Sequence, residues 1–124
     1  MDNSGVSLVK CIGTFGKKKY ASLLDYIKFS IKKLSKYKKR RIIKVKKNSL
    51  YKSLILTINF FIQRLNGFFI KFDIIKSITL DNNNKLISTR IKGNVYRELK
   101  SLLFENKKNS DLIRKIFLKT RFSL

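Results

Sequence analysis

The sequence predicts a mainly β protein, and three observations support that class: a hairpin-type Asn-Gly pair, a clean two-residue alternation, and helical spacing confined to residues 94–124. The pair, Asn66-Gly67, lies between two runs rich in β-branched and aromatic residues, 54–62 and 68–72. It favours a type I′ turn, which needs positive φ at both central residues. Alternation continues through 74–80, so we expect three consecutive antiparallel strands. A core hairpin with no further role is the simplest interpretation of this stretch.

Two more strands are predicted ahead of this region. Residues 6–14 alternate loosely, and residues 25–33 alternate cleanly between lysine-rich positions and the apolar Ile27, Phe29 and Ile31. The second pattern indicates a half-buried strand with a basic outer face. The single cysteine, Cys11, cannot form an internal disulfide, and we expect it to be a small buried residue of the first strand.

Two short helices are predicted in the tail. Asn94 can cap the first, and Ser110 can cap the second, with Asp111 at its positive end. Their apolar positions are Val95, Leu99, Leu102 and Leu103 in the first, and Leu112, Ile113, Ile116 and Phe117 in the second. The length allows one modest core. We therefore expect one domain over 1–124, β-rich over 1–93 and helical over 94–124.

Charge is the strongest functional signal in the composition. Thirty lysines and arginines stand against seven acidic residues, which gives a formal net charge of +23. A polyanion relieves such self-repulsion, so the expected partner is nucleic acid, with an anionic membrane surface second. Nine of the fifteen residues in 33–47 are basic. The candidate phosphate contacts are Lys17, Lys18, Lys19, Lys38, Lys39, Arg40, Arg41, Lys44, Lys46 and Lys47.

Both basic segments also have a simpler interpretation. Three successive lysines at 17–19 are compatible with an ordinary solvated loop. Tyr37, inside the second segment, can stack on an exposed base or pack as a common loop aromatic, and the sequence does not choose between the two.

The composition argues against catalysis. Histidine is absent, which removes the commonest general base and metal ligand, and the acidic residues form no close pair. We expect no enzyme activity, no metal and no cofactor. The longest apolar run is shorter than the roughly 20 residues of a transmembrane helix, and the first residues do not read as a signal or transit peptide. Residues with A/T-rich codons exceed half of the chain, which suggests a reduced organelle genome.

Several short motifs follow one another in the order and spacing of a known family. The first are Asp2-Asn3-Ser4-Gly5, Cys11-Ile12 and Lys17-Lys18-Lys19-Tyr20-Ala21. The others are Asp25-Tyr26-Ile27-Lys28, Ile31-Lys32, Lys44-Val45-Lys46-Lys47, Asn66-Gly67, Ile70-Lys71-Phe72-Asp73, Asn82-Asn83-Asn84, Thr89-Arg90-Ile91, Gly93, Val95 and Arg97-Glu98-Leu99. Over nearly its whole length the chain resembles the universal ribosomal large-subunit protein fourteen family, in its bacterial and organellar form.

The resemblance implies both a fold and a role. The implied fold is a small five-stranded β-barrel with a projecting β-hairpin ribbon and two short C-terminal α-helices. Members bind large-subunit rRNA, contact small-subunit rRNA in an intersubunit bridge and pack against neighbouring large-subunit proteins. In bacteria and organelles a ribosome silencing factor docks on the same surface. Thr89 and Arg90 match the residues of that contact, and Arg114 aligns with a third.

Departures from the family pattern modify these expectations. The family's strand ahead of Asp2 is missing, so we expect barrel closure to need a neighbour or to leave an open edge. The basic loop over 33–43 is longer than usual, and residues 101–110 resemble an insertion. In the ribbon, Phe60 and Phe61 stand where a basic stretch is usual, so we expect a protein neighbour there instead of RNA.

The leading hypothesis is therefore a structural, rRNA-binding and bridging constituent of a large mitochondrial ribosomal subunit, encoded in the organelle and located in the matrix, with the plastid second. No membrane partner is expected under it. Two other classes stay open. One is a general single-stranded nucleic-acid-binding barrel. The other is a peripheral membrane-surface protein, anchored by Phe60, Phe61, Phe68 and Phe69.

Overall fold

The computed structural model describes residues 2–16, 19–35, 45–99, 101 and 110–123. Strands dominate these residues, and one α-helix lies near the carboxyl end. In chain order the elements are β1 (Val6–Thr14), β2 (Tyr26–Leu34), β3 (Leu50–Thr57), β4 (Ile62–Gln63), β5 (Phe69–Ile70), β6 (Lys76–Leu80), β7 (Ile91–Val95), α1 (Ser110–Lys119) and β8 (Thr120–Ser123). The mainly β class predicted from the sequence is confirmed.

The strands form one main sheet and two small ones. The main sheet is antiparallel, in the order β1-β2-β3-β6. β4 pairs with β5, and β7 pairs in parallel with β8. Within the described residues the ladder of the main sheet has four strands and does not close. The five-stranded barrel implied by the resemblance is therefore not confirmed.

The Asn-Gly pair forms the tip of a hairpin, but through a different turn from the one predicted. Gly67 has a φ of 83°, whereas Asn66 keeps a negative φ, so the turn is not type I′. The Gly67 N–H donates to the Arg64 carbonyl at 3.0 Å, and the Arg64 N–H donates to the Phe68 carbonyl at 2.7 Å. These contacts fit the three-residue loop in which a left-handed glycine follows a type I turn.

The strands beside this turn are shorter than predicted. β4 and β5 pair over two residues each, and β3 pairs directly with β6, so no separate middle strand spans 68–72. The Thr57 side chain explains the break. Its hydroxyl donates to the Ile74 carbonyl and accepts from the Lys76 N–H, both at 2.9 Å. Because a side chain replaces the backbone ladder there, the chain beyond Thr57 leaves the sheet as a projecting hairpin.

The register between β2 and β3 assigns each residue to one face of the main sheet. Lys28 pairs with Lys52, and Phe29 pairs with Tyr51. We call the face with the two lysines the outer face and the face with Phe29 the inner face. The apolar inward residues of β2, Ile27, Phe29 and Ile31, are buried, as the alternation predicted.

Each face has its own apolar core. On the inner face, Phe29 and Ile31 pack with Val45, which precedes β3. On the outer face, β7, the turn after it and α1 cover one half of the sheet. The buried residues there are Leu54, Leu56, Ile78, Leu80, Ile91, Val95, Tyr96, Leu99, Ile113 and Ile116. The other half, toward β1, carries the exposed Lys10 and Lys28.

The first predicted tail helix does not begin where its pattern indicated. Asn94, the expected N-cap, lies inside β7, and Val95 ends that strand in the core. The parallel pairing of Asn94 and Val95 with β8 requires extended backbone there, which explains the difference. Leu102 and Leu103, further positions of that helix, lie outside the described residues.

The second tail helix is confirmed. α1 begins at Ser110 and carries Asp111 in its first turn and Lys119 in its last, where the two charges suit the helix dipole. Ile113 and Ile116, two residues of its predicted apolar stripe, are buried in the outer core. The tail is not helical throughout, because β8 follows α1 directly.

Cys11 lies in β1 as expected, but its side chain is exposed. The pairing of β1 with β2 shifts register at three points, one of them between Cys11 and Gly13. Such irregularities disturb the alternation of an edge strand. The expectation of a buried cysteine is therefore wrong.

The first described residues connect the start of the chain to β6. The Asp2 carboxylate accepts hydrogen bonds from the Thr79 N–H at 2.7 Å and from both the N–H and the hydroxyl of Ser4. The Ser4 hydroxyl also lies 3.4 Å from Thr79 Oγ1, and both residues are buried. Asp2 thus joins the segment before β1 to the opposite edge of the main sheet.

Replacing Asp2 with alanine should lower the free energy of unfolding by about 1–3 kcal/mol, because the Thr79 N–H loses its acceptor in a part-buried position. Urea denaturation measures the difference. Asp73→Ala is the matched control, since Asp73 is exposed and should cost less than about 0.5 kcal/mol. Equal losses in the two variants would contradict the role assigned to Asp2.

Candidate nucleic-acid interface

Three strands bring basic side chains together on the uncovered half of the outer face. Lys28 of β2 is paired with Lys52 of β3 on one side and with Gly13 of β1 on the other. Lys10 lies further along β1, opposite Ser30. The sequence predicted the basic outer face of β2. It did not reveal the neighbours of Lys28, because the periodicity of one strand contains no information on pairing.

Two aromatic rings hold Lys52 in place. Its Nζ lies 4.7 Å from the ring centroid of Phe15 and 4.3 Å from that of Tyr26, within the range of cation–π attraction. The Phe15 N–H donates to the Tyr26 carbonyl at 3.0 Å, which keeps the two residues adjacent. Burial raises the pKa of Tyr26 above its ordinary value, so its hydroxyl stays protonated and adds no negative charge at neutral pH.

The basic loop between β1 and β2 is described in part. Lys17 and Lys18, two of the predicted phosphate contacts, lie outside the described residues. The Lys19 Nζ lies 5.6 Å from the ring centroid of Tyr20, and Tyr20 is 77% exposed. This loop therefore presents a cation and a free aromatic ring on one exposed segment. Those are the groups that bind a phosphate and stack on a base.

The second basic segment is anchored where it returns to the sheet. Val45 is buried against Phe29 in the inner core, and the Lys46 N–H donates to the Tyr51 hydroxyl at 3.1 Å. Lys46 and Lys47 are exposed beside this anchor. The remaining predicted residues of the segment lie outside the described residues: Tyr37, Lys38, Lys39, Arg40, Arg41 and Lys44.

Thr89 and Arg90 form a separate exposed surface just before β7. The Asn3 side chain fixes both residues: its Oδ1 accepts from the Thr89 N–H at 3.0 Å and from the Arg90 N–H at 3.2 Å. Its Nδ2 donates to Thr89 Oγ1 at 2.8 Å. A cavity between this segment and the end of α1 is lined by Thr89, Arg90 and Leu118. Arg114 lies one helical turn before Leu118, on the same side of α1.

The projecting hairpin presents an apolar surface. We call its exposed side chains the hairpin surface: Phe60, Phe61, Leu65, Phe68 and Phe69. The rings of Phe61 and Phe69 meet edge to face with centroids 6.5 Å apart. Residues 58–75 contain only two of the thirty basic residues of the chain. The hairpin therefore offers apolar area with few cations, one of which is Lys71, whose Nζ lies 5.2 Å from the ring centroid of Phe61.

An ion pair orients this hairpin. Arg64 Nε lies 3.3 Å from Glu98 Oε1, and the two side chains are 26% and 22% exposed. The Arg64 guanidinium also lies 6.0 Å from the ring centroid of Tyr96. Glu98 follows β7, so the pair joins the hairpin to the segment that covers the outer face. No sequence pattern indicated this ion pair, because the two residues belong to no common motif and lie far apart in the chain.

The described part of the chain holds no group of three or more His, Cys, Asp or Glu residues that could bind a metal ion. None of its helices has the length and apolar character that crossing a membrane requires. The candidate interface thus consists of lysines and aromatic rings on a rigid sheet, with basic loops beside it.

Comparison with known proteins identifies the class. The family model described as ribosomal protein L14p/L23e matches residues 1–110. The large ribosomal subunit protein uL14 of Carsonella ruddii (strain PV) is 40% identical over 105 residues, which cover 83% of this chain and 82% of that protein. The chain is therefore a ribosomal protein of the large subunit. It belongs to the ribosomal protein L14p/L23e family, as the resemblance in its motifs predicted.

Replacing Arg64 with glutamine should lower the free energy of unfolding by about 1–2 kcal/mol, because the part-buried Glu98 loses its counter-charge. Thermal unfolding followed by circular dichroism measures the change. Arg97→Gln, at an exposed neighbouring arginine, is the control and should be close to neutral. The exchange Arg64→Glu with Glu98→Arg should recover part of the loss. If R64Q proves as stable as R97Q, the ion pair does not orient the hairpin.

Proposed function

We propose that this protein is a structural constituent of the large ribosomal subunit that binds large-subunit rRNA and contributes to a bridge with small-subunit rRNA. The observation that carries the proposal is a net charge of +23 in a member of a ribosomal protein family. Neutralising phosphates supplies the affinity, and the rigid sheet determines where the cations lie. The role is structural, as is general for ribosomal proteins of this kind, and involves no cofactor.

The proposed rRNA contacts are the loop cations predicted from the sequence. Lys19, Lys46 and Lys47 are exposed and lie on segments attached to the main sheet. The other proposed contacts are Lys17, Lys18, Lys38, Lys39, Arg40, Arg41 and Lys44. Lysines and arginines in loops reach phosphates more readily than base edges, so we infer recognition of rRNA shape more than of base sequence.

We assign the subunit-interface surface, and the contact with a ribosome silencing factor, to Thr89, Arg90 and Arg114. Two observations support this assignment. The Asn3 side chain accepts hydrogen bonds from the Thr89 and Arg90 N–H groups and donates one to the Thr89 hydroxyl, so this segment is fixed while both residues stay exposed. Arg114 is exposed on α1, one turn before a residue that shares a cavity with them. A rigid, exposed surface loses little conformational entropy when a partner docks.

We assign the hairpin surface, which includes Phe60 and Phe61, to contact with a neighbouring large-subunit protein. Phe60 is 70% and Phe61 61% exposed, and the segment around them is poor in cations. Contiguous exposed aromatic side chains mark protein interaction sites. Phosphate contact favours more basic residues than the two that this segment contains, Arg64 and Lys71, and Arg64 is paired with Glu98.

We propose that this protein is encoded by a small, A/T-rich genome and works in the ribosome of the same compartment. The codon-biased composition supports this, and the mitochondrial matrix stays our first prediction, with the plastid second. A bacterial ribosome is a further candidate, because the uL14 relative at 40% identity comes from the bacterium Carsonella ruddii. Fractionation of the source cells, followed by detection of the protein in organelle or bacterial ribosomes, separates these locations.

Replacing Arg40 and Arg41 with alanine should weaken binding to large-subunit rRNA and flatten its salt dependence. Each lost phosphate contact should lower the slope of log K against log salt by about 0.9. Fluorescence anisotropy over a salt series measures the slope, with Arg97→Ala as a control outside the basic segments. An unchanged slope would show that Arg40 and Arg41 do not touch phosphate. Binding to poly-U as tight as to folded rRNA would instead favour a general single-strand-binding protein.

Replacing Phe60 and Phe61 with serine should leave rRNA binding by the isolated protein unchanged but lower its retention in salt-washed large subunits severalfold. The reason is that a buried aromatic anchor contributes about 2 kcal/mol at a protein interface. Gradient sedimentation with quantitative immunodetection measures retention. Leu8→Ser, at another exposed apolar residue, is the control. Equal retention of the wild type and the double variant would exclude a protein neighbour at the hairpin surface.

A further inference from the structure

We propose that the uncovered half of the outer face contains a preformed phosphate-binding site. Lys28 and Lys52 form it beside the open space at Gly13, and Phe15 lies next to it, where a base can stack. We call Gly13, Phe15, Lys28 and Lys52 the basic notch. The inferred ligand is an RNA phosphodiester with an adjacent unstacked base, such as a loop or bulge provides. This inference rests on the proposed rRNA-binding function and adds to the loop cations a site on the sheet itself.

The arrangement of the two lysines is unfavourable without an anion. Lys28 and Lys52 are directly paired on neighbouring antiparallel strands, on the same face of the sheet. Like charges in such positions repel, because their Cβ atoms are about 4.5–5.5 Å apart. Neither lysine forms an ion pair with a carboxylate in the part of the chain that the structure describes. A phosphate oxygen between the ammonium groups would remove the repulsion and satisfy both donors.

The Lys52 side chain is already held in a restricted position. Its Nζ lies within 5 Å of the centroids of two rings, Phe15 at 4.7 Å and Tyr26 at 4.3 Å. A free surface lysine has many rotamers and loses their entropy when it binds a ligand. Because the rings restrict Lys52 before binding, less of that entropy is lost on contact with a phosphate.

Gly13 provides access to the lysine pair. It is paired with Lys28, and a Cβ placed on it would meet no atom within 4 Å. Its backbone is not in the left-handed region that requires glycine. The conformation of β1 therefore does not demand glycine here. What the missing side chain supplies is free space beside Lys28, on the face where the phosphate would lie.

Phe15 distinguishes a single-stranded ligand from a duplex. The ring is 48% exposed although one of its faces is near Lys52. Exposed aromatic rings beside cations are the usual platform for unstacked bases, and a base that is paired within a duplex cannot reach such a ring. The notch therefore fits one phosphodiester and one base of a single-stranded segment.

The test uses the full-length protein and two probes, bacterial large-subunit rRNA and a short uridine oligomer, with fluorescence anisotropy over a salt series. Lys28→Gln with Lys52→Gln should weaken binding to both probes about tenfold and lower the salt slope by about 1–2. The control removes two exposed lysines elsewhere, Lys85→Gln with Lys115→Gln, and should weaken binding less.

A second variant tests the notch without changing charge. Gly13→Leu fills the open space in a permitted backbone conformation and should weaken binding severalfold, whereas Gly13→Ala should bind like the wild type. Phe15→Leu should weaken binding of the uridine oligomer and leave the salt slope unchanged, because it removes stacking and no cation. Thermal unfolding shows whether each variant remains folded. If Gly13→Leu does not fold, the variant with Lys28→Gln and Lys52→Gln still tests the site.

The outcomes separate this inference from the function on which it rests. If the wild type binds neither probe, the proposed rRNA binding fails. If the wild type binds but the Lys28 and Lys52 variant matches the Lys85 and Lys115 control, and Gly13→Leu binds like Gly13→Ala, the notch is not an RNA site. An acidic protein segment would then be the expected partner of the uncovered half of the outer face. The loop cations alone would bind rRNA.

Discussion

The register between β2 and β3 is the constraint on which the rest of this structure depends. It sets Lys28 beside Lys52 on the outer face and keeps Phe29 and Ile31 in the inner core. A slip of one residue would turn the lysines into the core and the apolar residues to solvent. The same alternation thus fixes both the stability of the sheet and the position of its cations. A substitution that disturbed one would disturb the other.

Several of the acidic residues form contacts within the fold. Asp2 accepts hydrogen bonds from the backbone of β6, Asp25 accepts from Ser22, and Glu98 pairs with Arg64 of the hairpin. Asp2 and Glu98 each join two distant segments of the fold, and the seven acidic residues of the chain are far outnumbered by its thirty lysines and arginines. The excess positive charge is therefore available to an external polyanion, and the assembled particle can supply the neutralisation that the isolated chain lacks.

Local patterns predicted the local parts of this fold, and pairing between distant segments decided the rest. The burial pattern of β2 and the start of α1 at Ser110 follow from periodicity and capping. The strand at Asn94 and the break at Thr57 depend on partners elsewhere in the chain, β8 in one case and the residues before β6 in the other. The candidate site was likewise predicted only in part. Composition indicated a polyanion partner, but only the register shows that Lys28 and Lys52 are adjacent.

A map of the intact ribosome that contains this chain tests the central claim most directly. The claim is that the sheet presents its cations to rRNA while its apolar surfaces face protein. It predicts rRNA phosphates against the uncovered half of the outer face, within hydrogen-bonding distance of Lys28 and Lys52. A map in which solvent or another protein covers that face, with rRNA on the hairpin surface instead, would contradict it.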